Sequence, residues 1–421
     1  MDSQVSCGVP FGERKQLITV NNRNYGTRTL PVVAICLDGT DPSYLAAAAR
    51  VMPRLEAIGT KGARGLAESQ IPSLTNPNNV AIVTGAPASV NGICGNYYYD
   101  ATRGGEVMMD DPEYLRCPTI LAAFSQAGYA AGAISAKDKL RRLLGKNLRG
   151  VCFSIEQIDK ATPAENGIER VEEIVGRPAP HIYDPEISVY CIEAGVRLLE
   201  QRKFDLLYLS TTDFVQHKYK PGSPEADGFY SQIDRLLGKL DETGAVIGVT
   251  ADHGMNDKVK QDGSPRVQFL ESFLKERGFA EARVILPITD PHIVHHGALG
   301  SYATVYLRGE HVPEAMRMIE TVAGIERVLS REQAALEFCL PPDRIGDLVV
   351  LSDESTVLGR TPEWHNLSHV GNGLRSHGGL HERSVPFVVN RPLKREYAQR
   401  LQSGKVKNYD LLDFLFNGTE D

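Results

Sequence analysis

The side chains able to do chemistry fall in a few short stretches. One is Ile71-Pro72-Ser73-Leu74-Thr75-Asn76-Pro77-Asn78-Asn79, which runs into the apolar Val80-Ala81-Ile82-Val83. Pro77 has no N–H to donate and suits a first helical position, and Asn76 is a competent N-cap. The stretch predicts a loop ending in a helix N-terminus. The Thr75 hydroxyl then lies just outside a set of unpaired N–H groups, where the helix dipole favours an anion. Such a hydroxyl is a nucleophile for phosphoryl transfer if something lowers its pKa; the same residues also make an ordinary capping turn. Asp213-x-x-x-His217 puts two ligand types on one helical face, a spacing that suits a shared metal and equally a surface ion pair. Asp252-His253 directly follows an apolar run, and a buried strand ending in two ionisable residues needs a reason. Asp38 repeats that pattern, and His377 sits in the Gly-rich Ser376-His377-Gly378-Gly379. Taken together, Asp and His without Cys suit Zn²⁺, or else Mn²⁺ or Fe²⁺. Two such ions about 4 Å apart would activate the Thr75 oxygen and clamp a phosphoryl group.

These residues need elements to hold them. Pro31 to Leu37, Phe204 to Leu209 and Ala245 to Thr250 are continuous apolar runs, as in strands buried on both faces. Each runs into an acid: Asp38, Asp213 and Asp252. Helical segments separate them (Asp41 to Ile58, Ile187 to Gln201, Ala226 to Leu240), and Ala130 to Ser135 adds a short strand before Lys137-Asp138-Lys139. The pattern predicts an α/β fold, a doubly wound, mainly parallel sheet flanked by helices, with ligands at the carboxyl ends of its strands. Past residue 256 the texture changes to alternating segments at Ala282 to Ile288, Ser301 to Leu307 and Asp347 to Leu351, with helices near 313–323 and 331–337. This predicts an inserted α+β lid over 256–372, the core comprising 1–255 and 373–421. Residues 1–29 carry little periodicity and are expected to wrap the outside.

Composition narrows the class. The 421 residues are 42% hydrophobic and 24% charged, as in a globular protein with a large core. A net charge of −7 without basic blocks points to neither nucleic acid nor membrane, so a small anion would need local positive charge or metal. The first fifteen residues lack the basic-then-apolar pattern of a secretory leader, and no apolar run is long enough to span a membrane. Seven scattered cysteines without a CxxC pair fit a reducing cytoplasm.

The order Asp38, Ser73-x-Thr75-x-Pro77-Asn78, Gly95-Asn96, Asp213-x-x-x-His217, Asp252-His253-Gly254 and His377 resembles the alkaline phosphatase superfamily. The likeness is to its branch of nucleotide pyrophosphatases and phosphonoacetate hydrolases. It covers about residues 30–255 and 375–390. The resemblance implies Thr75 as nucleophile and as ligand of one zinc with Asp38, Asp252 and His253. It gives Asp213, His217 and His377 to a second zinc, and to Asn96 the hold on a transferred phosphoryl oxygen. The sulfatase Cys-x-Pro-x-Arg motif is absent, and Asn76 stands where nucleotide pyrophosphatases carry an aromatic, which argues against a nucleobase stacked beside Thr75. Thr75 to Asn79 with Lys137-x-Lys139 is most similar to the phosphonoacetate hydrolase family, implying that Lys137 and Lys139 hold a substrate carboxylate. His217 is also placed against the substrate. The implied activity is hydrolysis of the carbon–phosphorus bond of a small anionic phosphonate. A nucleotide pyrophosphatase/phosphodiesterase is the first alternative and a metal-binding, non-catalytic module the second. A homodimer is compatible with the sequence. His292, His295, His296, His365, His369, Arg375 and His381 have no spacing that selects among them.

Overall fold

The computed structural model describes residues 17–201, 204–291, 296–368, 370 and 373–420. Its centre is a seven-stranded mixed sheet in the order Ala63–Glu68, Ser384–Val389, Val246–Thr250, Val32–Cys36, Leu206–Ser210, Ala131–Ser135, Val151–Ser154. The last five pair in parallel, and the first two add an antiparallel edge. The apolar runs become strands because both of their faces are covered. Val33 and Ile35 enter one apolar cluster with Leu207, Leu209, Ile247 and Val249, beneath the helices Glu186–Gln201 and Pro224–Glu242. Val32, Ala34 and Cys36 enter another with Leu206, Tyr208 and Val246, beneath the C-terminal turns and the helix Ile120–Gln126. Pleating by two thus sorts one unbroken apolar sequence onto two cores.

Elements depart from the sequence reading in a few places. The helix expected over Asp41 to Ile58 is two, Pro42–Ala48 and Pro53–Lys61, because Pro53 begins a new helix instead of continuing the old one. The strands at Ala63–Glu68 and Val151–Ser154 had no sequence signal strong enough to predict them, the first because only Ala67 of its six residues is buried. Residues 17–26 form a hairpin, Leu17–Val20 with Arg23–Gly26; the rest of the expected outer wrapping, at 1–16, lies outside the described residues.

Between residues 256 and 375 a second, four-stranded antiparallel sheet runs Arg283–Ile285, Tyr302–Tyr306, Leu348–Ser352, Ile325–Ser330. It packs on the core: Ile71 and Val80 share a cluster with Tyr302, Val349 and Leu351, and Leu74 joins the cluster on the sheet's other side. No helix among the described residues is long and apolar enough to cross a membrane. The six described cysteines are free.

Candidate active site

Four adjacent parallel strands deliver the chemistry at their carboxyl ends: Thr250 before Asp252 and His253, Cys36 before Asp38, Ser210 before Asp213, and Ser135 before Lys137. Thr75 enters from above as the first residue of the helix Thr75–Thr84. The expected cap is shifted here. Leu74, in extended conformation, is the N-cap, so Thr75 lies inside the first turn and Asn76 is not the cap. The polar first turn is wholly buried because each amide has work inside. Asn78 Nδ2 donates to the carbonyls of Gln70, Pro72 and Leu74, fixing the loop. Asn79 Oδ1 accepts from Tyr208 and Ser210, so its Nδ2 donates to Asp252 Oδ2 at 2.9 Å. The helix ends at Gly85 in the left-handed conformation.

The predicted metal ligands meet here, with Thr75, Lys137 and Asn96 beside them. Asp213 caps the short helix Phe214–Lys218, and its Oδ2 lies 3.0 Å from His217 Nε2 and 3.6 Å from His377 Nε2. His253 Nε2 lies 3.2 Å from Asp38 Oδ1, 3.9 Å from both Asp213 and Asp252, and 3.4 Å from Thr75 Oγ1. Among the described residues, two groups have ligand atoms close enough to share an ion: Asp213, His217 and His377, and Asp38, Asp213 and His253. Asp252 flanks the second group, with its oxygens taken by the Gly39 and His253 N–H groups and by Asn79. Lys137 Nζ is 3.0 Å from Asp213 and 3.6 Å from Asp38. Asn96 Oδ1 accepts the Asn76 N–H at 3.3 Å, next to Thr75.

Three facts fit this cluster to divalent cations. Both Asp38 carboxylate oxygens are buried without a completed hydrogen bond among the described residues, with only Lys137 at 3.6 Å and His253 at 3.2 Å beside them, an expensive arrangement for an anion unless a cation meets it more closely. Each imidazole gives its Nδ1 proton to a backbone carbonyl: His217 to Arg375, His253 to Gly254, His377 to Ser73. That hydrogen bond fixes the ring and leaves Nε2 facing the carboxylates, as metal-bound histidines require. The His253 and His377 rings also lie face to face with centroids 3.5 Å apart, a stacking that aromatic electrostatics does not favour and that the anchors impose. The charges are mutually strained. Burial and then Asp38 push Asp252 well above the usual carboxylate range. Burial would also raise Asp213, but Lys137, His217 and His253 outweigh it and hold its carboxyl well below that range. Burial opposes charge on His253, yet Asp252 and Asp38 raise it to about 9; burial and then His253 depress His377.

Sequence reasoning missed three neighbours. Asp290, from the second sheet's side, pairs with Lys139 in a nearly dry contact. His296 stacks on His217 with centroids 5.2 Å apart, and burial and then His217 lower it to about 3. Asn79 aims Asp252. No spacing links Asp290 to Lys139, whereas the Asn-rich turn was visible without its purpose. Of the undecided residues, Arg375 serves through its carbonyl, His365 binds the Gly297 carbonyl, and His381 pairs with Glu326 at the surface. His292, His295 and His369 lie outside the described residues.

The model of the type I phosphodiesterase / nucleotide pyrophosphatase family matches residues 32–380. Crystal structures of phosphonoacetate hydrolase from Sinorhizobium meliloti 1021, in complex with phosphonoformate and with phosphonoacetate, are 49% identical to this chain. They cover 96% of it and 99% of their own length, each with a TM-score of 0.90. Murine ectonucleotide pyrophosphatase / phosphodiesterase 5 shares the fold at 19% identity, covering 91% of this chain and 94% of its own, with a TM-score of 0.61. The matched family residues run from the first core strand past His377, and the strand-end carboxylates and histidines stand within them. The chain therefore belongs to the type I phosphodiesterase / nucleotide pyrophosphatase family of the alkaline phosphatase superfamily, on its phosphonoacetate hydrolase branch.

Proposed function

We propose that this chain is a di-zinc hydrolase that cleaves the carbon–phosphorus bond of phosphonoacetate to acetate and phosphate through a phosphothreonine at Thr75. The carrying observation is a buried lysine pair beside the Asp/His cluster: Lys137 against Asp213 and Asp38, Lys139 against Asp290. Two buried lysines beside that cluster suit a small substrate that carries a carboxylate as well as a phosphoryl group. That the Sinorhizobium meliloti relative is seen with phosphonoacetate supports the reading.

Asp213, His217 and His377 would hold one zinc, and Asp38, Asp252, His253 and Thr75 the other. When bound, such ions lower the pKa of a coordinated hydroxyl and neutralise phosphoryl charge. Thr75 Oγ, having lost its proton, attacks phosphorus in line; the new O–P bond forms as the C–P bond breaks. The C–P electron pair passes to the methylene carbon and spreads into the carboxylate, where Lys137 and Lys139 stabilise it as it develops. Asn96 holds a phosphoryl oxygen, and His217 borders the bound substrate. The carbanion takes up a proton to become acetate, and water then cleaves the phosphothreonine, regenerating Thr75.

Residues 256–372 act as the lid, since Asp290 reaches Lys139 from that side. One chain supplies every residue named, so a homodimer would leave the site unchanged. The six described cysteines are free, which suits the cytoplasm.

Thr75→Ala is expected to abolish phosphate release from phosphonoacetate while elemental analysis still finds zinc near two per chain. Unimpaired turnover by that variant would remove Thr75 from its role. Faster p-nitrophenol release from a phosphodiester than phosphate release from phosphonoacetate by the parent would favour the phosphodiesterase reading.

A further inference from the structure

Lys258 and Glu382 belong to none of the groups above, yet both are wholly buried, with Lys258 Nζ 2.8 Å from Glu382 Oε1. Replacing a dry ion pair by apolar residues is often neutral or stabilising, so stability alone is a weak reason for keeping one. Its contacts suggest another reason. Glu382 Oε1 also accepts from Asn256 Nδ2 at 2.7 Å, Oε2 accepts the Gly379 N–H at 3.0 Å, and the Glu382 carbonyl accepts the Gly254 N–H at 2.7 Å. Gly254 follows His253, and Gly379 lies two residues beyond His377. The Gly379 carbonyl in turn accepts the Ser73 hydroxyl at 2.8 Å, two residues before Thr75. Lys258 Nζ donates onward to the Glu354 carbonyl at 2.7 Å, tying in the second sheet's side. The carboxylate thus joins Asn256, on the segment that carries Asp252 and His253, to Gly379, on the segment that carries His377, and Gly379 passes the link to the Thr75 segment through Ser73. Close approach is built in: a Cβ at Gly379 would lie 2.8 Å from Ser301 Cβ, and one at Gly254 2.8 Å from Asp41 Cβ.

We infer that Glu382, neutralised by Lys258, is a positioning residue that sets the spacing of the metal-binding segments and thereby the affinity of the site for its cations. It touches no reacting atom. The inference rests on the ligand set proposed above. A carboxylate is needed because every group it meets is a donor; the amide of Glu382→Gln would turn an N–H toward one of them at nearly unchanged shape.

The test is zinc affinity by chelator competition, using zinc alone, on the parent, Glu382→Gln and the double variant Lys258→Met/Glu382→Gln, alongside the melting temperature of each metal-free protein. Glu382→Gln is expected to bind zinc about tenfold or more weakly, with activity recovering in excess zinc, while its metal-free melting point stays near the parent's. Zinc affinity within about twofold of the parent, whatever the melting point, would overturn the inference and leave a purely structural pair. Should Glu382→Gln fail to fold, the double variant, which also removes the stranded lysine charge, is read by the same criterion. Failure of both to fold would overturn it too, making the pair a requirement of folding. A parent that binds no zinc would instead overturn the ligand set itself.

Discussion

Lys137 and Lys139 stand two residues apart but meet opposite surroundings. Burial works against charge on Lys137, yet Asp213 and Asp38 outweigh it and raise its pKa. Burial depresses Lys139, and Asp290 only partly offsets that, with Lys137 adding to the depression. Asp290 therefore works to keep charge on Lys139, as the proposed contact with a substrate carboxylate requires. Asp290→Asn leaves a buried ammonium without its counter-ion and is expected to cost about 3–5 kcal/mol in urea-melt stability. It should also raise KM for phosphonoacetate; a KM equal to the parent's would detach Lys139 from substrate binding. The acid limb provides a second measurement. Burial would raise Asp290, but Lys139 and His296 hold it well below the usual range. A depressed folded pKa gives stability that is present above the unfolded carboxyl's value of about 4 and is lost as pH falls below it. The melting temperature of Asp290→Asn should accordingly fall less steeply than the parent's on acidification through that region.

At the scale of elements, the site depends on how sharply each strand turns into its acid. Gly39, after Asp38, has φ of +70°, and a Cβ there would lie 2.9 Å from Asp213 Cβ and 3.2 Å from Gln216 Cβ. Gly39→Ala must therefore strain the turn, by about 1–2 kcal/mol, and displace a carboxylate shared by both ligand groups. Lower melting temperature together with weaker zinc binding is expected; loss of stability alone would mean Asp213 can yield without consequence. These turns were largely legible. Unbroken apolar runs announce strands covered on both faces, and an acid at the end of such a run has nowhere to go but the sheet's edge. The edge pair Ala63–Glu68 and Ser384–Val389 was less so, since pairing direction is set by partners far along the chain. The cap slipped by two residues, from Asn76 to Leu74, because propensity favoured Asn76, while the buried contact of the Asn76 side chain with the Met109 carbonyl draws it into the helix's first turn. Asp290 and Glu382 were invisible because their partners are distant in sequence and carry no periodic pattern.

For the whole molecule, the proposed ligands span residues 38 to 377, so bound cations would staple the chain across most of its length. The metal-free centre crowds carboxylates: burial and Asp38 drive Asp252 up, and the Asp38 oxygens complete no hydrogen bond among the described residues. A ligand that binds only the folded state at one hundred times its Kd adds about 2.7 kcal/mol per site. Chelation should therefore lower the melting temperature by several degrees, and zinc should restore it in proportion to the logarithm of its free concentration. The form of the transition is also constrained. Leu74, Ile71 and Val80, which flank Thr75, pack into the apolar clusters of the second sheet, so loosening the Thr75 stretch removes support from both sheets at once. Calorimetry of the chelated protein should show a single transition shifted downward. Two separated transitions would instead make 256–372 a unit that folds on its own, and an unshifted one would show that the cations contribute nothing to holding the strand ends together.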